Sequence, residues 1–276
     1  MLRTVESAAD ETAQTTGTEG PRVMLLHPFL MSKEVWEPVV ADLAVDHQVV
    51  AVTLPGHWRG PALPKGEPLT PGLLADYVED VADELGWDTF HVVGNSLGGW
   101  VAYELAKRGR CQSVIAFAPA GGWSRWPPTR FRLILKFLGF GVVGHIGALL
   151  APLLIHSRRL TAAAFKPMAE TINEATDAQL RAVYIAAGKC RAYFPLLRYG
   201  ISGGVVQELN LATCPIDLYL CDNDRVLNPD DFKRYQRDVG DNVTVHHLPG
   251  IGHVPMLQVP SEVADIIRSQ VAATAP

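Results

Sequence analysis

The chemistry-bearing part of this chain begins with a serine between glycines. Gly94-Asn95-Ser96-Leu97-Gly98-Gly99 follows the apolar run Thr89–Val93, and a helical pattern starts at once at Leu97. A small-x-Ser-x-small turn between strand and helix projects a serine hydroxyl from the carboxyl end of a sheet. Gly94 and Gly98 are expected to be small because a Cβ at either would meet neighbouring backbone. The amino end of the following helix would lie under a developing oxyanion. A neutral serine is a weak nucleophile and needs a base. Among nine histidines, His253 has the best context. It ends Leu248-Pro249-Gly250-Ile251-Gly252-His253, just past the last apolar run, where two glycines let the loop reach across. His246 and His247 lie within that run, and His57, His91, His145 and His156 have no comparable setting. The base needs a carboxylate to orient it, and Asp222 or Asp224 in Cys221-Asp222-Asn223-Asp224-Arg225 could serve. An oxyanion hole needs two backbone N–H groups. Leu97 supplies one, and the other is expected from His27-Pro28-Phe29-Leu30, where Pro28 has no N–H and Phe29 is the choice.

These groups need a scaffold that brings distant segments to one edge. Apolar runs at Arg22–Leu26, His47–Leu54, Thr89–Val93, Ser113–Phe117, Ile216–Leu220 and Val243–Leu248 read as strands. Between them, Lys33–Ala44, Leu69–Leu85, Leu97–Arg108, Asp230–Asp238 and Pro260–Ala272 have helical spacing. Alternation of this kind predicts an α/β fold, with a mostly parallel sheet covered by helices on both faces. The alternation stops between Gly122 and Asn210, which reads as a helical cap inserted after the fourth clear strand. The expected organisation is an amino-terminal arm over 1–20, a core over 21–121 and 211–276, and a cap over 122–210. The arm, polar and small-residue-rich, is read as frayed or at most a short edge strand.

The chain has 276 residues, 48% hydrophobic and 19% charged, with a net charge of −5. That is enough apolar material for a sizeable core, and too little positive charge to favour a nucleic-acid partner. The start carries no basic segment followed by an apolar one, so a cytoplasmic location is expected. Cys111, Cys190, Cys214 and Cys221 lack paired metal-ligand spacing and read as small buried thiols. No metal or cofactor is expected, and the sequence leaves the oligomeric state open.

Within the cap, Leu133–Ile155 has only Lys136 and His145 as clearly polar side chains. Its length would suit a membrane span. Gly139, Gly141, Gly144, Gly147 and Pro152 argue against that, as does basic charge on both flanks (Arg130 and Arg132, then Arg158 and Arg159). The segment reads instead as two short helices covering the pocket, with surface attachment to lipid as the lesser alternative. Phe137, Phe140, Leu149 and Leu150 are candidates to line an acyl or aromatic cavity, and Trp58 to narrow its entrance.

Taken together, His27-Pro28-Phe29, Trp36, Leu54-Pro55-Gly56-His57, Gly94-Asn95-Ser96-Leu97-Gly98-Gly99, Asp224 and Gly252-His253 resemble the α/β-hydrolase family over nearly the whole chain. The family's order is serine, acid, histidine. The resemblance implies Ser96 as nucleophile, Asp224 rather than Asp222 as the acid, His253 as the base, and Phe29 with Leu97 as oxyanion donors. Pro28 departs from the usual glycine, and Thr53 and Trp58-Arg59 from the usual residues around Leu-Pro-Gly. The implied activity is hydrolysis of an apolar carboxylic ester through an acyl-enzyme. Thioester, lactone or carbon–carbon bond cleavage uses the same groups, and a non-catalytic ligand binder is the reading from another class. Family members that act on haloalkanes or epoxides resemble the chain but place Asp at the Ser96 position.

Overall fold

The computed structural model describes residues 13–17, 19–123, 127–202, 204–227, 234–235 and 241–274. The apolar runs form strands β2 (Arg22–Leu26), β3 (Gln48–Val52), β4 (Phe90–Asn95), β5 (Cys111–Phe117), β6 (Ile216–Cys221) and β7 (Val243–Leu248). Ala13–Thr16 adds β1. The seven strands lie in the order β1-β3-β2-β4-β5-β6-β7. Only the β1–β3 pair is antiparallel. Part of the expected arm is therefore an edge strand, and residues 1–12 lie outside the described ones.

Buried parallel strands read as continuous apolar runs because both faces are covered. In β4 every residue is buried. One helix pair, α1 (Glu37–Leu43) and α9 (Pro260–Ala273), covers one face, and α2 (Pro71–Glu84) with α3 (Leu97–Ala106) covers the other. Thr70 caps α2 by accepting from the Leu73 N–H, with Pro71 at the first helical position. Between α1 and α9 the chain also forms the cap helices and the single-turn helix α8 (Pro255–Gln258). Of the expected helix Asp230–Asp238, only Arg234 and Tyr235 are described, and they are helical. The four cysteines are free and buried.

The cap comprises α4 (Pro127–Leu154), α5 (Arg158–Phe165), α6 (Asp177–Lys189) and α7 (Tyr193–Ile201). The two short helices expected in Leu133–Ile155 are one helix of 28 residues. Three of its glycines, Gly141, Gly144 and Gly147, are contact points rather than breaks. A Cβ on Gly141 would sit 2.3 Å from Tyr193 Oη, and one on Gly147 3.2 Å from the Tyr184 ring. Pro152 falls in the last turn and removes one bond of the ladder, the one an N–H there would give to the carbonyl of Ala148.

Candidate active site

Ser96 joins β4 to α3 with φ 53° and ψ −111°, a conformation rare for a residue with a side chain. The surroundings hold it there. Ser96 N donates to Phe117 O at 3.0 Å, and Ser96 O accepts from Ala120 N at 2.8 Å and Trp100 N at 3.1 Å. A Cβ on Gly94 would lie 2.2 Å from Gly98 O, and one on Gly98 2.1 Å from Leu26 O. The turn thus closes only with glycine at both places. Strain over-determined by neighbouring structure marks functional positions. Leu97 opens α3, so its N–H has no partner inside the helix.

His253 sits on the loop after β7, with 4% of its surface exposed. Its Nδ1 lies 2.7 Å from Asp224 Oδ2. The other oxygen of Asp224 accepts from Val226 N at 2.7 Å and Leu227 N at 2.8 Å. Asp222 instead meets His247 Nδ1 at 2.8 Å, on the outside of the molecule. His246 pairs with Asp217 and stacks on Tyr219. The geometry separates the two carboxylates that the sequence leaves adjacent.

Two residues hold the histidine loop without having drawn attention in the sequence. Asn95 Nδ2 donates to Phe117 O and to His253 O, both at 2.9 Å, and so ties β4 and β5 to the loop. Gln258 Oε1 accepts from Gly252 N at 3.1 Å and Glu170 N at 3.0 Å, while its Nε2 donates to Gly250 O. The cap touches the same loop, since Val254 N donates to Met168 O at 2.9 Å. Asn95 stands inside the serine motif, but nothing local in the sequence points to Gln258.

The loop after β2 brings in Phe29. His27 is fully buried and fixes this loop to the next strand end. Its Nδ1 donates to Pro28 O at 2.8 Å, and its Nε2 accepts from Leu54 N at 3.0 Å. Burial lowers its pKa to about 4, so the ring is neutral at pH 7. Phe29 stacks on Tyr193 with ring centroids 5.9 Å apart and meets Phe137 edge-on at 5.9 Å. These ring contacts couple the loop to the cap, where Tyr193 Oη donates to Phe137 O and joins α7 to α4.

Ser96 opens into two apolar cavities. The larger, about 340 Å³, is lined by His253 and by Phe29, Phe137, Phe140 and Leu150 of the expected set. The smaller, about 80 Å³, is lined by Leu97, Trp100, Trp123, Phe29 and Phe137. One expected lining residue is elsewhere. Leu149 is 81% exposed and lines neither cavity, because its phase on α4 turns it to solvent. Trp58 lines neither, and Arg59 lies over its ring at 4.5 Å. Among the described residues, no group of three or more His, Cys, Asp or Glu could hold a metal ion.

A covered parallel sheet, with a serine turn and a paired aspartate and histidine on three of its carboxyl-side loops, is the layout of α/β hydrolases. A sequence model of the alpha/beta hydrolase family matches residues 23–266, and the chain belongs to that family. The chain is 41% identical over 214 residues to the epoxide hydrolase EphH of Mycobacterium tuberculosis, covering 75% of this chain and 98% of that one. It is 28% identical over 123 residues to the carboxylesterase YbfK of Bacillus subtilis, covering 44% of this chain and 41% of the other. Naproxen esterase (carboxylesterase NP) from Bacillus subtilis is similar in fold, with a TM-score of 0.70 over 94% of this chain and 86% of that chain at 22% identity.

Proposed function

We propose that the chain hydrolyses carboxylic esters of small to medium apolar acyl or aromatic substrates through an acyl-enzyme at Ser96. One observation carries this reading. Ser96, on a strained turn, shares an apolar cavity of about 340 Å³ with His253, whose far ring nitrogen is held by Asp224. In this scheme Ser96 Oγ attacks the ester carbonyl while His253 Nε2 takes its proton. The N–H groups of Leu97 and Phe29 stabilise the oxyanion, and helix α3 adds its amino-terminal dipole. His253 then gives the proton to the leaving alcohol, and water releases the acid by the same steps. Asp224 keeps the imidazole in the tautomer that can accept at Nε2.

The likeness to a named epoxide hydrolase favours a second reading, opening of an epoxide. The chemistry separates the two. Attack of Ser96 Oγ on an epoxide carbon would form an ether, which has no carbonyl for water to attack and would not turn over. Epoxide opening here would need water itself as nucleophile, with His253 as its base. Ser96→Ala therefore distinguishes them. On the ester reading it lowers p-nitrophenyl butyrate turnover by about 10⁶ and abolishes organophosphonate labelling, with the circular dichroism spectrum unchanged. Styrene oxide opening that survives in Ser96→Ala, with no ester turnover in the wild type, would replace the ester reading by the epoxide one. Labelling that persists at another serine would remove Ser96 from the chemistry.

A further inference from the structure

The longest helix of the cap has an outer side that none of the described residues covers. Phe131, Leu135, Leu138, Val142, Leu149 and Leu153 repeat at steps of three, four or seven and fall on one side of α4. Their exposures are 63%, 52%, 41%, 62%, 81% and 72%. None of them lines either cavity. At 1.5 Å per residue the stripe runs for about 33 Å. Soluble monomers rarely show an apolar patch of that extent, and one that does occur marks an interaction surface. Residues Phe131–Leu154 are long and apolar enough to cross a membrane, and only 11% of their most apolar stretch is buried. Yet the inner side of the helix is in use. Gly141 and Gly147 sit against Tyr193 and Tyr184, and Phe140, Gly144 and Leu150 wall the larger cavity. Crossing a bilayer would strip that side from the cap, whereas lying along one would not.

Charge indicates what the outer side meets. Residues 127–202 carry ten Lys and Arg against three Asp and Glu, in a chain that carries 24 against 29 overall. Arg159 and Arg198 are exposed. Arg198 shares one face of α7 with Phe194 and Ile201, which are 72% and 47% exposed, and Leu160 beside Arg159 is 55% exposed. An apolar stripe with basic flanks is the composition of helices that lie in the plane of an anionic bilayer surface. A second copy of the chain would instead set one basic cap against another.

We propose that the cap docks through this side of α4 onto an anionic lipid surface, with the helix lying in the interface and the wall of the larger cavity directly beneath it. The proposal does not depend on the ester reading, because its test is a binding measurement. The full chain is floated with phosphatidylglycerol vesicles and, separately, with phosphatidylcholine vesicles, at low and high salt. The expected result is partition onto phosphatidylglycerol that weakens with salt and exceeds that onto phosphatidylcholine at least tenfold. Leu149→Gln with Leu153→Gln should reduce partition onto phosphatidylglycerol about tenfold or more. Arg159→Gln and Arg198→Gln should each reduce it about fivefold. Circular dichroism confirms that each variant folds, which these exposed positions favour. Absence of wild-type vesicle binding at low salt would overturn the proposal. So would binding that the paired leucine substitution leaves unchanged. A concentration-dependent dimer that the leucine pair dissolves, without vesicle binding, would assign the face to a second copy.

Discussion

Replacing Asp224 by asparagine tests the candidate site at its most specific point. In the wild type, Oδ1 accepts from Val226 N and Leu227 N while Oδ2 faces His253 Nδ1. An amide has one acceptor oxygen. The two backbone donors fix that oxygen on their own side, which turns the NH₂ group toward His253. The imidazole must then accept at Nδ1 and carry its proton on Nε2, where it cannot take the Ser96 proton. A wrong tautomer of this kind lowers turnover by about 10⁴, or about 5.5 kcal/mol of transition-state stabilisation. Folding should survive, since Val226 N and Leu227 N keep their acceptor. Asp224→Ala would orphan both donors, at about 1–3 kcal/mol each, and should lower stability as well as activity. Asp222→Asn disturbs only the exposed pair with His247, a contact worth roughly 0–1 kcal/mol, and should leave turnover within about twofold. The assay is steady-state hydrolysis of p-nitrophenyl butyrate beside urea denaturation of each variant. Greater damage from Asp222→Asn, or near-wild-type turnover in Asp224→Asn, would refute the reasoning.

Two further perturbations test the frame around the site. Gly98→Ala places a Cβ 2.1 Å from Leu26 O and 2.5 Å from Leu26 C, and should lower stability by about 3 kcal/mol, whereas Gly72→Ala meets nothing closer than 3.7 Å and should be neutral or stabilising; equal denaturation midpoints would deny the close approach at Gly98. His27 is depressed from 6.5 to about 4 by burial, so the unfolded chain binds the extra proton between those values. Stability contributed by the neutral ring is full above pH 6.5 and lost as pH falls toward 4, by about 3 kcal/mol at most. His27→Gln should flatten the fall of the urea midpoint across that window, and an unchanged slope would show that the histidine is not responsible.

What the sequence revealed follows from the range of the forces involved. Strands β2, β4 and β6 beside the site were legible because burial on both faces makes each a local apolar run. Ser96 was legible because the steric demand at Gly94 and Gly98 acts within five residues. The acid was not fully legible. Asp222 and Asp224 follow the same strand, and what separates them is which histidine each meets across β7 and its loop. Edge strand β1 gave no apolar signal because its register with β3 rests on backbone pairing. The phase of α4 was hidden for a different reason. A helix that is apolar all round has no polar face to mark its outside, so Leu149 and Leu150 looked alike, though only Leu150 reaches a cavity. Its continuity was hidden too, since glycine serves close packing as well as chain reversal.

The two cavities also bear on which half of an ester each one takes. Phe29 and Phe137 line both, and their edge-on contact stands between them. His253 lines only the larger cavity, while Leu97 lines only the smaller. The leaving oxygen has to collect its proton from His253, so the alcohol must depart on the His253 side. On the ester reading, the larger cavity then holds the alcohol and the smaller one the acyl group. At about 10–15 Å³ per water, the smaller volume of about 80 Å³ is room for a short chain, and the larger is about fourfold roomier. Each methylene added to the alcohol should contribute about 0.8 kcal/mol where it stays buried. Catalytic efficiency should therefore climb from methyl to hexyl butyrate by at least tenfold. Along p-nitrophenyl acetate, butyrate, hexanoate and octanoate it should rise briefly and then fall. The opposite pattern, a steady climb with acyl length and indifference to the alcohol, would place the acyl chain under α4 and require His253 to reach the leaving oxygen from the other side of Phe137.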